Sequence, residues 1–274
     1  MLDTPRRLWM AAAACVAVFL ALLVFVYATN RGAIADRRAL VGFGQLQRPR
    51  LAEISDGIAH LADPVPFALI GLAIVAIGFI RGYPLLAVGA GCMIVGANVT
   101  TQVLKPLLAN TRGTFGDYVI GAEAFPSGHA TASMSLALAA VMVAPARLRP
   151  LVGSIGALFA LAVGFAVVSL DWHFPSDIAG GYLMASAWCF AALAVLRTER
   201  LKAAMPAGEE PYAWWLAVVV MLVPLLVVGW LAIERLPKLT GYAEGHTTFA
   251  VVAAATAALV AVLVGAVLTV PTRR

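Results

Sequence analysis

An all-α, polytopic transmembrane bundle is the fold class this sequence predicts. Three observations predict it. Hydrophobic residues make up 62% of the chain and charged residues 12%, where a soluble domain has about half and a quarter. The apolar runs are about 20 residues long, enough to cross ~30 Å of hydrocarbon at 1.5 Å per residue. Those runs are continuous, without the two-residue alternation of a membrane barrel. Lipid cannot satisfy an open backbone, so continuous runs mean helices.

In order, spans are expected at 8–28, 65–81, 84–105, 128–146, 149–171, 175–196, 212–234 and 247–270, about eight in all. Arg6 and Arg7 precede the first run, Leu8 to Ala28. That run exceeds a signal-peptide core of ~7–15 residues, so a retained first helix is expected. Between the first two spans lies a long polar segment, 30–64. Its apolar spacing (Leu40, Phe43, Leu46, Leu51, Ile54, Ile58, Leu61) predicts amphipathic helices at the membrane interface. Trp214, Trp215 and Trp230 read as aromatic-belt residues. Asn98, Thr100, Thr101 and Gln102 read as interhelical hydrogen-bonding groups.

Charge sets the expected orientation. With the N-terminus inside, Arg6, Arg7, Arg81, Arg147, Arg149, Arg197, Arg200, Lys202, Arg273 and Arg274 all fall on the cytoplasmic side. Both termini are then cytoplasmic. The loops 105–128, 171–175 and 236–246 share the outer face. The net charge of +5 belongs to span ends rather than to a basic patch with aromatics, so nucleic acid is not an expected partner. Cys15, Cys92 and Cys189 lie inside apolar runs without metal-ligand spacing. No metal or cofactor is expected.

The outer loops carry the chemistry. Lys105 ends one span and Arg112 follows seven residues later, two cations able to grip a phosphate. Ser127 suits an N-cap, and Gly128 lets backbone amides approach an anion at the helix start. His129 stands in the first turn, placed to donate a proton to whatever binds there. His173 precedes a helix opened by Pro175, and Asp177 lies four residues on. A carboxylate there can hold one imidazole nitrogen and leave the other as nucleophile or base.

Lys105 and Arg112, then Pro126-Ser127-Gly128-His129, then His173 and Asp177 with Ile178-Ala179-Gly180 after them, resemble the three-part pattern of the type 2 phosphatidic acid phosphatase (PAP2) superfamily. The resemblance implies a six-helix core over 1–200, with the outer segment 30–64 inserted and a two-helix extension at 201–274. It also implies a membrane lipid phosphatase with an outer-face site in the plasma membrane. In that chemistry His173 attacks phosphorus and forms a phosphohistidine, Asp177 orients it, and His129 protonates the leaving oxygen. Lys105, Arg112, Ser127 and Gly128 would hold the phosphoryl oxygens. Polyprenyl and phosphatidate-like phosphates or diphosphates both suit such a site.

Two departures stand out. Gly113 follows Arg112 where the family has proline, and Ala166-Val167 replace the Ser-Arg pair before His173. Asp171 is an added acid where the family often has glycine. A lost phosphate-binding arginine costs ~10²–10³ in rate. Lys238, His246, Arg48 and Arg50 are the auxiliary candidates to replace it. His246 opens Gly245-His246-Thr247-Thr248, an echo of Gly128-His129-Ala130-Thr131. The alternative is a catalytically weak relative that binds anionic lipid or serves as a scaffold or transport partner.

Overall fold

The computed structural model describes residues 2–46, 48–110, 120–197 and 236–270. Among them all regular structure is helical: α1 (Pro5–Ala28), α2 (Asn30–Gly44), α3 (Pro49–His60), α4 (Pro64–Ile80), α5 (Pro84–Leu107), α6 (Gly128–Val143), α7 (Arg149–Ser169), α8 (Pro175–Leu196), α9 (Leu236–Gly245) and α10 (Thr247–Leu268). Five of these are long and apolar enough to cross a membrane, and α3 with α4, bent by 52° at their junction, meets the same test only as a pair. α6 is apolar but only 16 residues long. The chain is thus a multi-pass membrane bundle. The expected span at 212–234, with its three tryptophans, lies outside the described residues.

Helix starts follow local chemistry. Proline occupies the first turn of α1, α3, α4, α5, α7 and α8, where a missing N–H costs nothing. Thr29 joins α1 to α2: its hydroxyl donates to Phe25 O at 2.6 Å and accepts the Gly32 N–H at 3.0 Å.

α8 is the centre, packed by α1, α5 and α6. Both α6 and α8 are buried nearly all round, as expected of helices apolar on every face. Polar bonds between helices pin the register. Asn98 Nδ2 donates to Ser135 Oγ at 3.1 Å, Thr101 and Thr131 hydroxyls pair at 3.0 Å, and Trp188 Nε1 donates to Thr100 Oγ1 at 3.1 Å. These are the contacts expected of Asn98, Thr100 and Thr101.

Segment 30–64 forms two helices, but it does more than float at an interface. α2 buries Leu40 and Phe43 against the bundle and packs on α1, α7, α8 and α10. α3 lies on α7, with Ser169 Oγ donating to Ser55 Oγ at 3.4 Å. Ser55 and Ala59 are its buried residues, while Ile54 and most of its other positions remain exposed.

The C-terminal helix is docked too. Phe249 on α10 meets Phe43 edge-on at 4.8 Å, and Tyr242 on α9 donates to Gly42 O at 2.5 Å. Arg149, expected as a loop cation, is instead 8% exposed. Its guanidinium donates to Val141 O at 3.3 Å, Val270 O at 2.8 Å and Val267 O at 3.0 Å. The carbonyls at the end of α10 lack intrahelical partners, and a buried cation satisfies them.

Candidate active site

Motif by motif, the sequence brings its histidines together through backbone contact. Ser127 caps α6, its hydroxyl accepting the Ala130 N–H at 3.3 Å. Its own N–H donates to Asp177 O at 2.9 Å, joining the start of α6 to the start of α8. That closeness requires glycine. A Cβ on Gly181 would stand 2.7 Å from Ser127 O, and one on Gly180 2.8 Å from the Phe125 ring.

At this junction the rings of His129 and His173 stand edge to face with centroids 6.4 Å apart. His173 is buried, and Asp177 fully so. Asp177 Oδ2 accepts the Phe174 N–H at 2.9 Å and lies 3.5 Å from His173 Nδ1. The backbone bond is the tighter one, and Nδ1 has no hydrogen bond within ideal geometry. The carboxylate therefore faces Nδ1 at ion-pair distance, and Nε2 remains as the other ring nitrogen. Lys105 completes the group: a Cβ on Gly128 would lie 3.9 Å from Lys105 Cε and 3.4 Å from Gln102 Nε2. Lys105, His129, His173, Asp177, Ser127 and Gly128 thus share one end of the bundle. Arg112 lies outside the described residues.

The auxiliary cations are elsewhere. Arg48 and Arg50 are exposed at the start of α3, and Lys238 is exposed on α9. His246 is committed to its neighbours, with Nδ1 3.0 Å from Tyr242 O and Nε2 2.7 Å from Gln45 Oε1. None of the four has a hydrogen bond or ion pair to either catalytic-candidate histidine among the described residues. At the vacant arginine position the chain is closed rather than open: Val167 is 0% exposed within the apolar core.

Three acids complete the picture. Asp63, between α3 and α4, places Oδ1 3.2 Å from His129 Nε2. Asp36 on α2 binds Ser176, the residue before Asp177. Neither stands out in the sequence, since each lies far along the chain from its partner. Asp171, in the turn before His173, adopts φ 59°, where non-glycine residues are uncommon. Its Oδ1 is buried without a hydrogen-bond partner, and burial pushes its carboxyl up to about 6. Beside it Trp172, 38% exposed, lies 5.6 Å from the His129 ring and 6.3 Å from that of His60. Among the described residues no group of His, Cys, Asp or Glu could hold a metal ion.

A family model described as the PAP2 superfamily matches residues 82–203. Among solved structures, the fold is similar to that of a transmembrane PAP2 type phosphatidylglycerolphosphate phosphatase from Bacillus subtilis, with a TM-score of 0.52 and 21% identity. That alignment covers 67% of this chain and 94% of the other. No match is found among curated proteins. The segment that matches the PAP2 superfamily model holds Lys105, Ser127-Gly128-His129 and His173–Asp177.

Proposed function

We propose that the protein is a membrane lipid phosphatase that works through a phosphohistidine on His173. The observation that carries this reading is the pair of opposed imidazoles, 6.4 Å apart, with Asp177 behind one of them. Phosphoryl transfer asks a protein chiefly for in-line positioning and charge stabilisation. Asp177 holds Nδ1 and aims Nε2 of His173 at phosphorus. As the N–P bond forms, the bond from phosphorus to the lipid oxygen breaks, and His129 gives that oxygen its proton. Water then attacks the phosphohistidine. His129 takes a proton from it, the N–P bond breaks, and phosphate leaves. Lys105, Arg112, Ser127 and the Gly128 amide hold the non-bridging oxygens, and charge there is worth most where water is excluded.

The substrate is a lipid phosphate or diphosphate, of polyprenyl or phosphatidate type, met at the outer leaflet of the plasma membrane. The charge distribution, with the short basic loops opposite the site, supports that orientation. One observation favours the second reading, a weak relative that binds anionic lipid: Val167 fills the place of a phosphate-binding arginine.

Phosphate release from a panel of lipid phosphates and diphosphates in detergent micelles tests the choice. Wild-type turnover that His173→Ala abolishes supports the enzyme. A folded wild type that releases nothing across the panel, yet binds anionic vesicles, supports the binder.

A further inference from the structure

Asp63 occupies the N-cap of α4 without capping it. Its backbone is extended, and its carboxylate makes no bond to the amides of the helix it starts. The sequence explains why. Asp63-Pro64-Val65-Pro66 puts proline at the third helical position, so one of the two amides that a capping side chain could meet has no N–H and only that of Val65 remains. The carboxylate turns instead to His129, with Oδ1 3.2 Å from Nε2. His60 Nε2 stands 4.0 Å from its other oxygen.

This placement needs a reason. An anion at the rim of a phosphate pocket repels a negatively charged substrate. Its charge is useful there only if it acts on the histidine. The charged and titratable neighbours of His129 are Asp63, His173 and Lys105, so Asp63 is the acid among them. The site then contains two carboxylate–histidine pairs, Asp177 with His173 and Asp63 with His129.

We propose that Asp63 is the positioning residue of the proton-transfer histidine. It fixes His129 through Nε2, so that Nδ1 delivers the proton to the departing lipid oxygen and later receives one from water. His129 touches the reacting atoms, and Asp63 acts through it. The α3–α4 corner thereby belongs to the catalytic apparatus, although it lies outside residues 82–203. The assignment rests on the phosphatase reading above.

Two substrates separate this role from a structural one. The diacylglycerol of phosphatidate leaves as a poor, alkoxide-like group that needs a proton. The p-nitrophenol of p-nitrophenyl phosphate leaves as a stable phenolate that needs little help. Hydrolysis of the phosphohistidine is common to both, so the readout is kcat/KM, which reports only the steps through its formation. For Asp63→Asn the expected result is a ~10–100-fold fall in kcat/KM on phosphatidate, a part of the 10²–10⁴ that general acids supply. KM does not rise, because a repelling charge is gone. On p-nitrophenyl phosphate kcat/KM changes less than ~3-fold on the same grounds. Asp63→Glu, which keeps the carboxylate, recovers part of the phosphatidate rate and serves as the assay if the asparagine variant does not fold. Equal losses on both substrates, or a raised KM with kcat unchanged, overturn the assignment in favour of a structural corner. Wild-type rates for Asp63→Asn on phosphatidate overturn it alone. Where phosphatidate is not turned over, the lipid of the panel above that is turned over takes its place, and a wild type inert on the whole panel overturns the phosphatase reading, and this role with it.

Discussion

Asp36 on α2 holds Ser176 on α8 twice, accepting its backbone N–H at 3.0 Å and its hydroxyl at 2.5 Å. Both residues are 6% exposed. The contact satisfies an amide of the first turn of α8 and fixes the residue next to Asp177. Hydrogen bonds to a charged group each contribute about 1.5–3 kcal/mol. Asp36→Ala is therefore expected to destabilise the protein by at least about 2 kcal/mol, read as a lower melting temperature in detergent. Its turnover should fall further than that of Ser176→Ala, which loses the hydroxyl but keeps the N–H. Equal melting temperatures for Asp36→Ala and wild type would remove the clamp from the account.

Asp171 gives stability a pH dependence of known sign. Burial lifts its carboxyl from an ordinary 3.8 to about 6, so the folded state binds the proton more tightly. The penalty is absent below about pH 4, grows as pH rises to about 6, and is complete above that. Asp171→Asn keeps a side chain that tolerates the left-handed backbone and removes the charge. The variant should melt higher than wild type at pH 7.5, with the gap closing at pH 4. A gap that is the same at both pH values would mean the charge is not responsible.

Restoring the family's arginine should fail. Val167 is 0% exposed, and its backbone O already accepts the Trp172 N–H at 3.0 Å. Its neighbours are apolar, so a guanidinium there would be buried without a partner, at a cost of several kcal/mol. Val167→Arg is expected to lower folded yield and melting temperature rather than raise turnover. A stable, faster Val167→Arg protein would show that the pocket reaches this position.

The close approach of α8 to the start of α6 is equally exposed to mutation. In Gly181→Ala the new methyl would meet Ser127 O at 2.7 Å and Ala130 Cβ at 2.9 Å. Both are fixed, one by the backbone and one by the first turn of α6. Overpacking of this kind costs about 1–3 kcal/mol. It also pushes His129 away from His173, so turnover should fall by more than the melting temperature suggests. Gly241→Ala, with open space around its Cβ position, is the matching control and should leave both near wild type.

The bundle was legible in the sequence because membrane spans are local: apolar length alone announces α1, α5, α7, α8 and α10. Lys105, His129 and His173 were legible for the same reason, each being fixed by a short motif at a helix end. Asp63 and Asp36 were not. Their partners lie 66 and 140 residues away, and no local spacing records such pairs. Asp63 even looks like an ordinary N-cap, and only the proline at the third position of its helix hints that its carboxylate is turned elsewhere. Arg149 misled for a related reason. Beside Arg147 it reads as a cytoplasmic loop charge, and only the distant carbonyls of Val267 and Val270 draw it inside.

That arginine also imposes an order on biogenesis. Helices leave the ribosome in sequence, so α7 reaches the bilayer while α10 is still unmade. Until residue 270 emerges, Arg149 has only Val141 O of its three carbonyl acceptors. A half-made chain thus carries an unquenched cation at the edge of the hydrocarbon until α10, made some hundred residues later, arrives to quench it. In this respect α7 waits on α10 to settle into the bundle.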